Sequence, residues 1–334
     1  MNIPFCKSTV GQEEIDAVTK VMQSGWMAAG PETEAFEKEF AEYVGCKYAI
    51  YTNSGTSALK MAYKYFKEEK DMGFVYYPEN TFCATYSAAY EMGLHPMPMK
   101  LDHQLFDPSK RGDYSWWGKR AFRENAPTSI KTTMHYGGIK DEDFCDIEDS
   151  AHRIEPNDPL VGKIRTYSFY VTKNMTTGSG GMFVTNDKEI YEKSRLYWKD
   201  GLSSSTHDRQ TGKGYNYKVQ AMAGGYDGND IGAAIGRVQL AKLKGATKKR
   251  NAIVERYNTA FDQDWTGNHL YPYFVERLGL VDELIQYLNS HGIATGYHYP
   301  SCGWLGVSLP IFPDLMASEQ EYIIDKVTKW CSKH

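Results

Sequence analysis

The sequence predicts an α/β fold: a large, mostly parallel α/β/α sheet domain followed by a small C-terminal α+β domain. Two observations carry this expectation. Short runs rich in β-branched and aromatic residues alternate with helix-periodic segments between residues 48 and 198. Such alternation marks β/α units, whose parallel strands present ligands beyond their carboxyl ends. Finally, 334 residues with 41% hydrophobic and 24% charged side chains suffice for a sizeable core and roughly two domains. The pattern shortens after Leu243, so the division falls at 1–243, with an N-terminal helical segment, and 244–334.

Residues 11–23 read as a helix with Ile15, Val18 and Met22 on one face and Gly25 closing it. Pro31 opens a second helix whose Phe36, Phe40 and Val44 form a stripe. Its Glu32, Glu34 and Glu37 lie near the positive end of the helix dipole. A strand at 48–51 leads through Ser54-Gly55-Thr56-Ser57 into a helix running to about Lys67. The next strand, 75–77, stops at Pro78, and Asn80 or Thr81 caps a helix through Met92 that Gly93 ends. Further strands are expected at 130–134 and 144–149. Beyond them come a helix at 188–198, a polar loop at 201–214, and a long helix at 229–243 with a Gly/Ala face suited to close packing. The last unit holds a helix around 281–288, a turn at His291-Gly292, and a helix at 318–331.

Bulk properties exclude several classes. A net charge of −4 gives no basis for binding nucleic acid or an anionic membrane. The six cysteines are scattered without a CxxC pair, and the nine histidines lack HxxxH or HExxH spacing, so neither a disulfide frame nor a metal site is expected. No export signal and no apolar run of spanning length is visible, which points to the cytoplasm.

The chemistry centres on residues 167–184. An apolar run leads to Lys173, and a Gly-rich turn, Gly178-Ser179-Gly180-Gly181, returns the chain to a second apolar run. A flexible amine between two strands, beside a loop that admits close backbone approach, is what Schiff-base chemistry requires. Alone, the same residues also describe a surface hairpin with a lysine. Ser54-Gly55-Thr56-Ser57, between strand and helix, forms either an anion cradle or an ordinary N-cap. Asp149 in Glu148-Asp149-Ser150-Ala151-His152 ends a strand where a carboxylate can hold a pyridinium proton; a solvated acidic turn is the plain alternative. Phe82 can cover one face of a planar ring or simply join the core. The order of these four features along the chain says more than any one of them.

With those residues in view, the sequence resembles the DegT/StrS-type sugar aminotransferases, fold-type-I enzymes dependent on pyridoxal 5′-phosphate (PLP). Ile3-Pro4-Phe5, Gly11-Gln12-Glu13-Glu14, Ser24-Gly25-Trp26 and Gly30-Pro31 are similar to that family's opening. Ser54-Gly55-Thr56-Ser57-Ala58-Leu59, Glu148-Asp149-Ser150-Ala151-His152, Ser168-Phe169 with Lys173, and the glycine turn resemble its cofactor motifs. Asn229-Asp230-Ile231, His298-Tyr299-Pro300 and Leu309-Pro310-Ile311-Phe312-Pro313 are similar to later landmarks. The resemblance implies that Lys173 forms the internal aldimine with PLP and shuttles a proton. It implies that Asp149 pairs with the pyridine nitrogen, that His152 lies near the 3-oxygen and that Phe82 stacks on the ring. Gly55, Thr56 and Ser168 would hold the phosphate. The implied reaction moves an amino group from glutamate to a nucleotide-linked keto-sugar, by family analogy a 4-keto-6-deoxyhexose, in a homodimer with a shared active site.

The sequence departs from the pattern at several points. Ser179 stands where the family usually has Glu, and Ser301-Cys302-Gly303 where another His is usual. The partner-facing segment reads as Gly225-Tyr226-Asp227-Gly228 by position and as Gly214-Tyr215-Asn216-Tyr217 by spelling; the first register is favoured. The chain also looks trimmed between Lys100 and Ile147 and in its tail unit. A ketocyclitol acceptor therefore stays open, as does a non-catalytic sensor that kept the fold. Lys173 argues against the dehydratase branch, which has His at that position.

Overall fold

A computed structural model of the chain describes residues 2–99, 128–204, 206–212, 216–300 and 304–334. Helices α1 (Gln12–Ser24) and α2 (Pro31–Val44) precede β1 (Tyr48–Thr52), α3 (Gly55–Lys70), β2 (Phe74–Pro78), α4 (Ala84–Glu91) and β3 (His95–Met99). Then follow β4 (Ser129–Met134), β5 (Ile147–Asp149), β6 (Ile164–Ser168), β7 (Gly181–Thr185), α5 (Lys188–Trp198) and α6 (Thr206–Gln210). A long α7 (Asp230–Phe261) leads to β8 (Tyr271–Phe274), α8 (Leu278–Ser290), β9 (Gly296–Tyr297), β10 (Gly306–Leu309) and α9 (Ala317–Cys331).

The large sheet has the order β1-β7-β6-β5-β4-β2-β3, and β8-β10-β9 form a second, antiparallel sheet. β7 pairs antiparallel with both β1 and β6, while the other pairings are parallel. Six strands thus run one way, and their carboxyl ends share an edge with the start of β7. Alternation along the strands gives each face its own core. Ile50, Ile130, Ile147, Ile164 and Phe183 pack with α3 and α5 residues on one face. Ala49, Tyr51, Tyr167, Met182 and Val184 pack with Phe36, Phe40 and α7 on the other.

The expected stripe on α2 is fully buried: Phe36, Phe40 and Val44 are 0% exposed. The stripe on α1 is not. Ile15 and Met22 are 55% and 60% exposed, and the buried residues are Glu14 and Val21. The cause lies in α7, whose Gln239 Nε2 and Lys242 Nζ donate to Glu14 at 2.7 and 2.9 Å. These polar contacts rotate the helix away from its apolar face. α4 begins at Ala84 instead of at Asn80 or Thr81, both of which are buried in the turn before it. The strand expected over 144–149 is limited to Ile147–Asp149, and Phe144 is exposed. The polar loop carries the short α6.

The helix expected to end at Leu243 continues to Phe261 without a break. Its Gly/Ala seam meets the large unit, since a Cβ on Gly236 would lie 2.5 Å from the Phe36 ring. Asp230, its first residue, caps α2 by accepting from Gly30 N at 2.8 Å and Thr33 N at 2.9 Å. Ile253, Val254, Tyr257 and Phe261 belong instead to the core beneath the second sheet. The 243/244 boundary therefore falls inside one helix, and the two-domain division stands as a proposal with α7 shared by both units.

Candidate active site

Strand ends β1, β4, β5 and β6, with the start of β7, surround a cavity of about 650 Å³. Gly55, Thr56, Phe82, Asp149, His152, Ser168 and Lys173, all expected from the sequence, line it together.

Lys173 sits in the turn after β6, its N–H donating to Tyr170 O at 2.9 Å. The turn is held by its own backbone. Thr176 Oγ1 donates to Phe169 O at 3.0 Å, Phe169 N donates to Gly180 O at 2.8 Å, and Gly178 takes φ +80°. That last angle suits a residue without Cβ. From behind, Asn174 O accepts from Arg250 Nη1 at 3.1 Å, and Asn174 Nδ2 donates to Asn268 Oδ1 at 3.2 Å. Burial pushes the Lys173 amine down to about 8, with Asp149 partly opposing the shift. Such an amine is far more readily neutral, and so nucleophilic, near neutral pH than a surface lysine.

Asp149 is 4% exposed; it accepts from Thr85 Oγ1 at 2.8 Å and Ala151 N at 3.1 Å. Desolvation raises its pKa against those bonds and against the pull of Lys173. A buried carboxylate in this condition is stabilised by any cation placed before it. Its neighbour Glu148 points to the other face, where Arg165 donates to it at 2.6 and 3.0 Å and His135 Nε2 lies 3.2 Å away. One residue of the Glu-Asp pair thus serves the cavity and the other the interior.

Gly55 and Thr56 are the first residues of α3, where backbone N–H groups have no intrahelical acceptor. Ser54 caps the helix by accepting from Ser57 N at 3.1 Å. A Cβ on Gly55 would stand 2.9 Å from Ser168 Cβ, so glycine lets the helix end close upon β6. Phe82 is 55% exposed, with its ring 6.1 Å from that of Tyr299. Ser179 Oγ donates to Asn53 O at 3.2 Å.

Three histidines crowd the cavity. His152 Nδ1 accepts from Gly137 N at 3.3 Å, which leaves the proton on Nε2, 3.4 Å from Tyr299 Oη. The His269 ring lies 4.4 Å from that of His152. His298 stacks on Phe5 at 5.5 Å and pairs with Ser308 Oγ at 2.9 Å. Burial, aided by the Lys173 charge, holds His152 and His269 well below the usual range and brings His298 to about 4. All three are neutral at pH 7. Thr85 and His269 were not expected from the sequence. Thr85 was within reach, one helical turn after Thr81, with its hydroxyl bonding at 2.7 Å to that residue. His269 carried no local signal.

The favoured Gly225–Gly228 segment lies against β1, with Asn53 N donating to Tyr226 O at 2.9 Å and Thr52 bridging to Asp227. Part of the alternative segment, Gly214 and Tyr215, lies outside the described residues, as do Ser301-Cys302-Gly303 and most of the stretch between Lys100 and Ile147.

Comparison with known proteins supplies the family. The profile of the DegT/DnrJ/EryC1/StrS aminotransferase family matches residues 8–111 and 147–307. The chain belongs to this family. It is a PLP-dependent aminotransferase. The spore coat polysaccharide biosynthesis protein SpsC of Bacillus subtilis is 32% identical over 285 residues, 78% of this chain and 69% of that protein. The fold is shared with the PLP form of Spr1654 from Streptococcus pneumoniae, at a TM-score of 0.84 and 22% identity over 100% of this chain and 99% of that one. It is also shared with PseC of Helicobacter pylori, an aminotransferase of pseudoaminic acid biosynthesis, at a TM-score of 0.83 and 22% identity over 98% and 99% of the two chains.

The residues of this aminotransferase fit the cofactor. A helix N-terminus with unspent N–H groups suits a phosphate, a buried carboxylate suits a pyridinium, and a desolvated amine suits an aldehyde. No helix among the described residues is long and apolar enough to cross a membrane.

Proposed function

We propose that this aminotransferase moves an amino group from glutamate to a nucleotide-linked keto-sugar, a 4-keto-6-deoxyhexose, as a cytoplasmic homodimer. The observation that carries the reading is a lowered-pKa Lys173 facing a buried Asp149 in a cavity of about 650 Å³. PLP, when bound, supplies an electron sink for the charge that develops at the donor's Cα.

The chain's own groups divide the remaining work. The Lys173 amine would hold the cofactor through its aldehyde carbon and would serve as the base and acid that moves a proton at the donor and acceptor carbons. Asp149, fixed by Thr85 and Ala151 N, would hold a proton on the pyridine nitrogen by its negative charge. Gly55, Thr56 and Ser168 would bind the phosphate, and Phe82 and neutral His152 would line the ring. Burial of Asp149 and His152 keeps water from competing for the proton.

The homodimer is supported by the charge of the lining. Among the described residues Lys173 is the only Lys or Arg in the cavity wall, so the carboxylates of glutamate and the diphosphate of a sugar nucleotide need cations from elsewhere. A second subunit supplies them in this reading.

The test is incubation with PLP, glutamate and a panel of nucleotide-linked 4-keto-sugars, followed by mass spectrometry for the amino sugar and assay of 2-oxoglutarate. Turnover requiring the nucleotide supports the reading. Failure with every sugar sinks it, and turnover of a nucleotide-free ketocyclitol replaces it with the cyclitol alternative. Sedimentation at assay concentration tests the dimer, and a monomer with full activity refutes the shared site.

A further inference from the structure

A second cavity, of about 350 Å³, lies behind the lysine turn, with Lys173 and Asn174 forming part of its wall. Its charge is one-sided. Lys7, Lys242, Lys249 and Arg250 line it with Lys173, and no acidic side chain does so among the described residues. In a chain of net charge −4 that is a local concentration of cations. Two of them are partly spent. Lys242 donates to Glu14 at 2.9 Å, and Lys249 lies 3.6 Å from Asp314.

Arg250 is the decisive residue. It is 5% exposed; its Nη1 holds Asn174 O, and its Nε is buried with no hydrogen-bond partner among the described residues. Leaving a guanidinium N–H buried and unpaired is costly, and an oxyanion is its natural acceptor. Burial also brings the pKa of this guanidinium down to about 10, which an anion beside it would reverse. Asn174 contributes an Oδ1 that is likewise buried without a partner. An acceptor beside a cation favours an oxyanion that keeps one proton, as hydrogenphosphate does and a carboxylate does not.

We propose that this cavity binds a phosphate group between Arg250 and the exposed Lys7 and Lys249, on the side of the lysine turn away from the catalytic cavity. The site is distinct from the cradle at Gly55, Thr56 and Ser168, and the proposal stands whatever the sugar acceptor. Both free phosphate and a small phosphomonoester carry the required chemistry.

The experiment uses holoenzyme whose cofactor has been fixed to the protein by borohydride and freed of excess PLP, so that its phosphate cradle is filled. Inorganic phosphate and, separately, glycerol 3-phosphate are titrated calorimetrically, with sodium chloride at matched ionic strength as the screening control. Saturable binding of one phosphate per chain is expected. Binding of inorganic phosphate alone assigns a free ion, and binding of both assigns a phosphomonoester site. Arg250→Gln should weaken binding by about tenfold or more. Lys7→Ala with Lys249→Ala, both at exposed positions, should weaken it by about fivefold. Heat equal to the chloride control, or binding unchanged in the Lys7→Ala/Lys249→Ala variant, overturns the proposal.

Discussion

Replacing Lys173 with Met in the cofactor-free protein should stabilise it at pH 7. Desolvation takes the Lys173 amine from 10.5 to about 8. At about 1.4 kcal/mol per pKa unit, holding this amine charged in the fold costs about 3 kcal/mol. That figure is a ceiling, because the side chain borders a cavity that admits water. Between pH 8 and 10.5 the unfolded chain keeps the proton and the folded chain releases it, so stability rises with pH through that window. Below about pH 8 both states are protonated and the penalty is complete. Methionine keeps the stem and removes the charge. It also removes the cation facing Asp149, whose carboxyl is already raised by burial, and this returns part of the gain. The net expectation is about 1–2 kcal/mol in favour of the variant at pH 7, shrinking toward zero by pH 10. Urea unfolding of both proteins at equal concentration, at pH 7, 8, 9 and 10, measures it. A wild type at least as stable at pH 7, or a gap that widens with pH, would refute the argument.

Other predictions concern the same cavity. Asp149→Asn should lower kcat by roughly 10²–10³-fold. Thr85→Val, which deletes one bond to that carboxylate, should cost about tenfold; single-turnover absorbance and steady-state rates measure both. Gly181→Ala should abolish cofactor uptake and destabilise the fold by about 1–3 kcal/mol, because its Cβ would lie 2.6 Å from Gly55 N and Ser54 O. Visible absorbance and thermal melting report on that variant together. The profile of kcat/KM against pH should show no inflection near 6.5, since burial keeps His152, His269 and His298 neutral there. An inflection that vanishes in His298→Gln would contradict this.

Much of this architecture is legible in the sequence because its signals are local. Pro31 and Gly45 bracket α2, and Gly45 takes φ +79° where the helix closes. Asp187 caps α5 by accepting from two backbone N–H groups, and that helix spans the expected residues. The seven residues expected at the site line one cavity, and strand ends and a glycine turn mark their places in order along the sequence. What escaped depended on distant partners. Periodicity points α1 inward through Ile15 and Met22, but a buried carboxylate satisfied by Gln239 and Lys242 outweighs two methyl-bearing faces. Asn80 and Thr81 have good capping chemistry yet lie buried in the preceding turn. The helix expected to stop at Leu243 runs on through Gly245 and the polar run Lys248-Lys249-Arg250-Asn251, because Arg250 and, further on, Ile253, Val254 and Tyr257 are buried. His269 entered the cavity only through the fold of the second sheet.

The unbroken α7 also has a mechanical meaning. At about 1.5 Å per residue it is a rod of roughly 48 Å, seated at one end against Phe36 and at the other among Tyr257, Phe261 and the second sheet. About two thirds of the way along it, Arg250 donates to the carbonyl of Asn174, the residue after Lys173. One helix thus ties three places together: the seam on α2, the backbone beside Lys173, and the core beneath the second sheet.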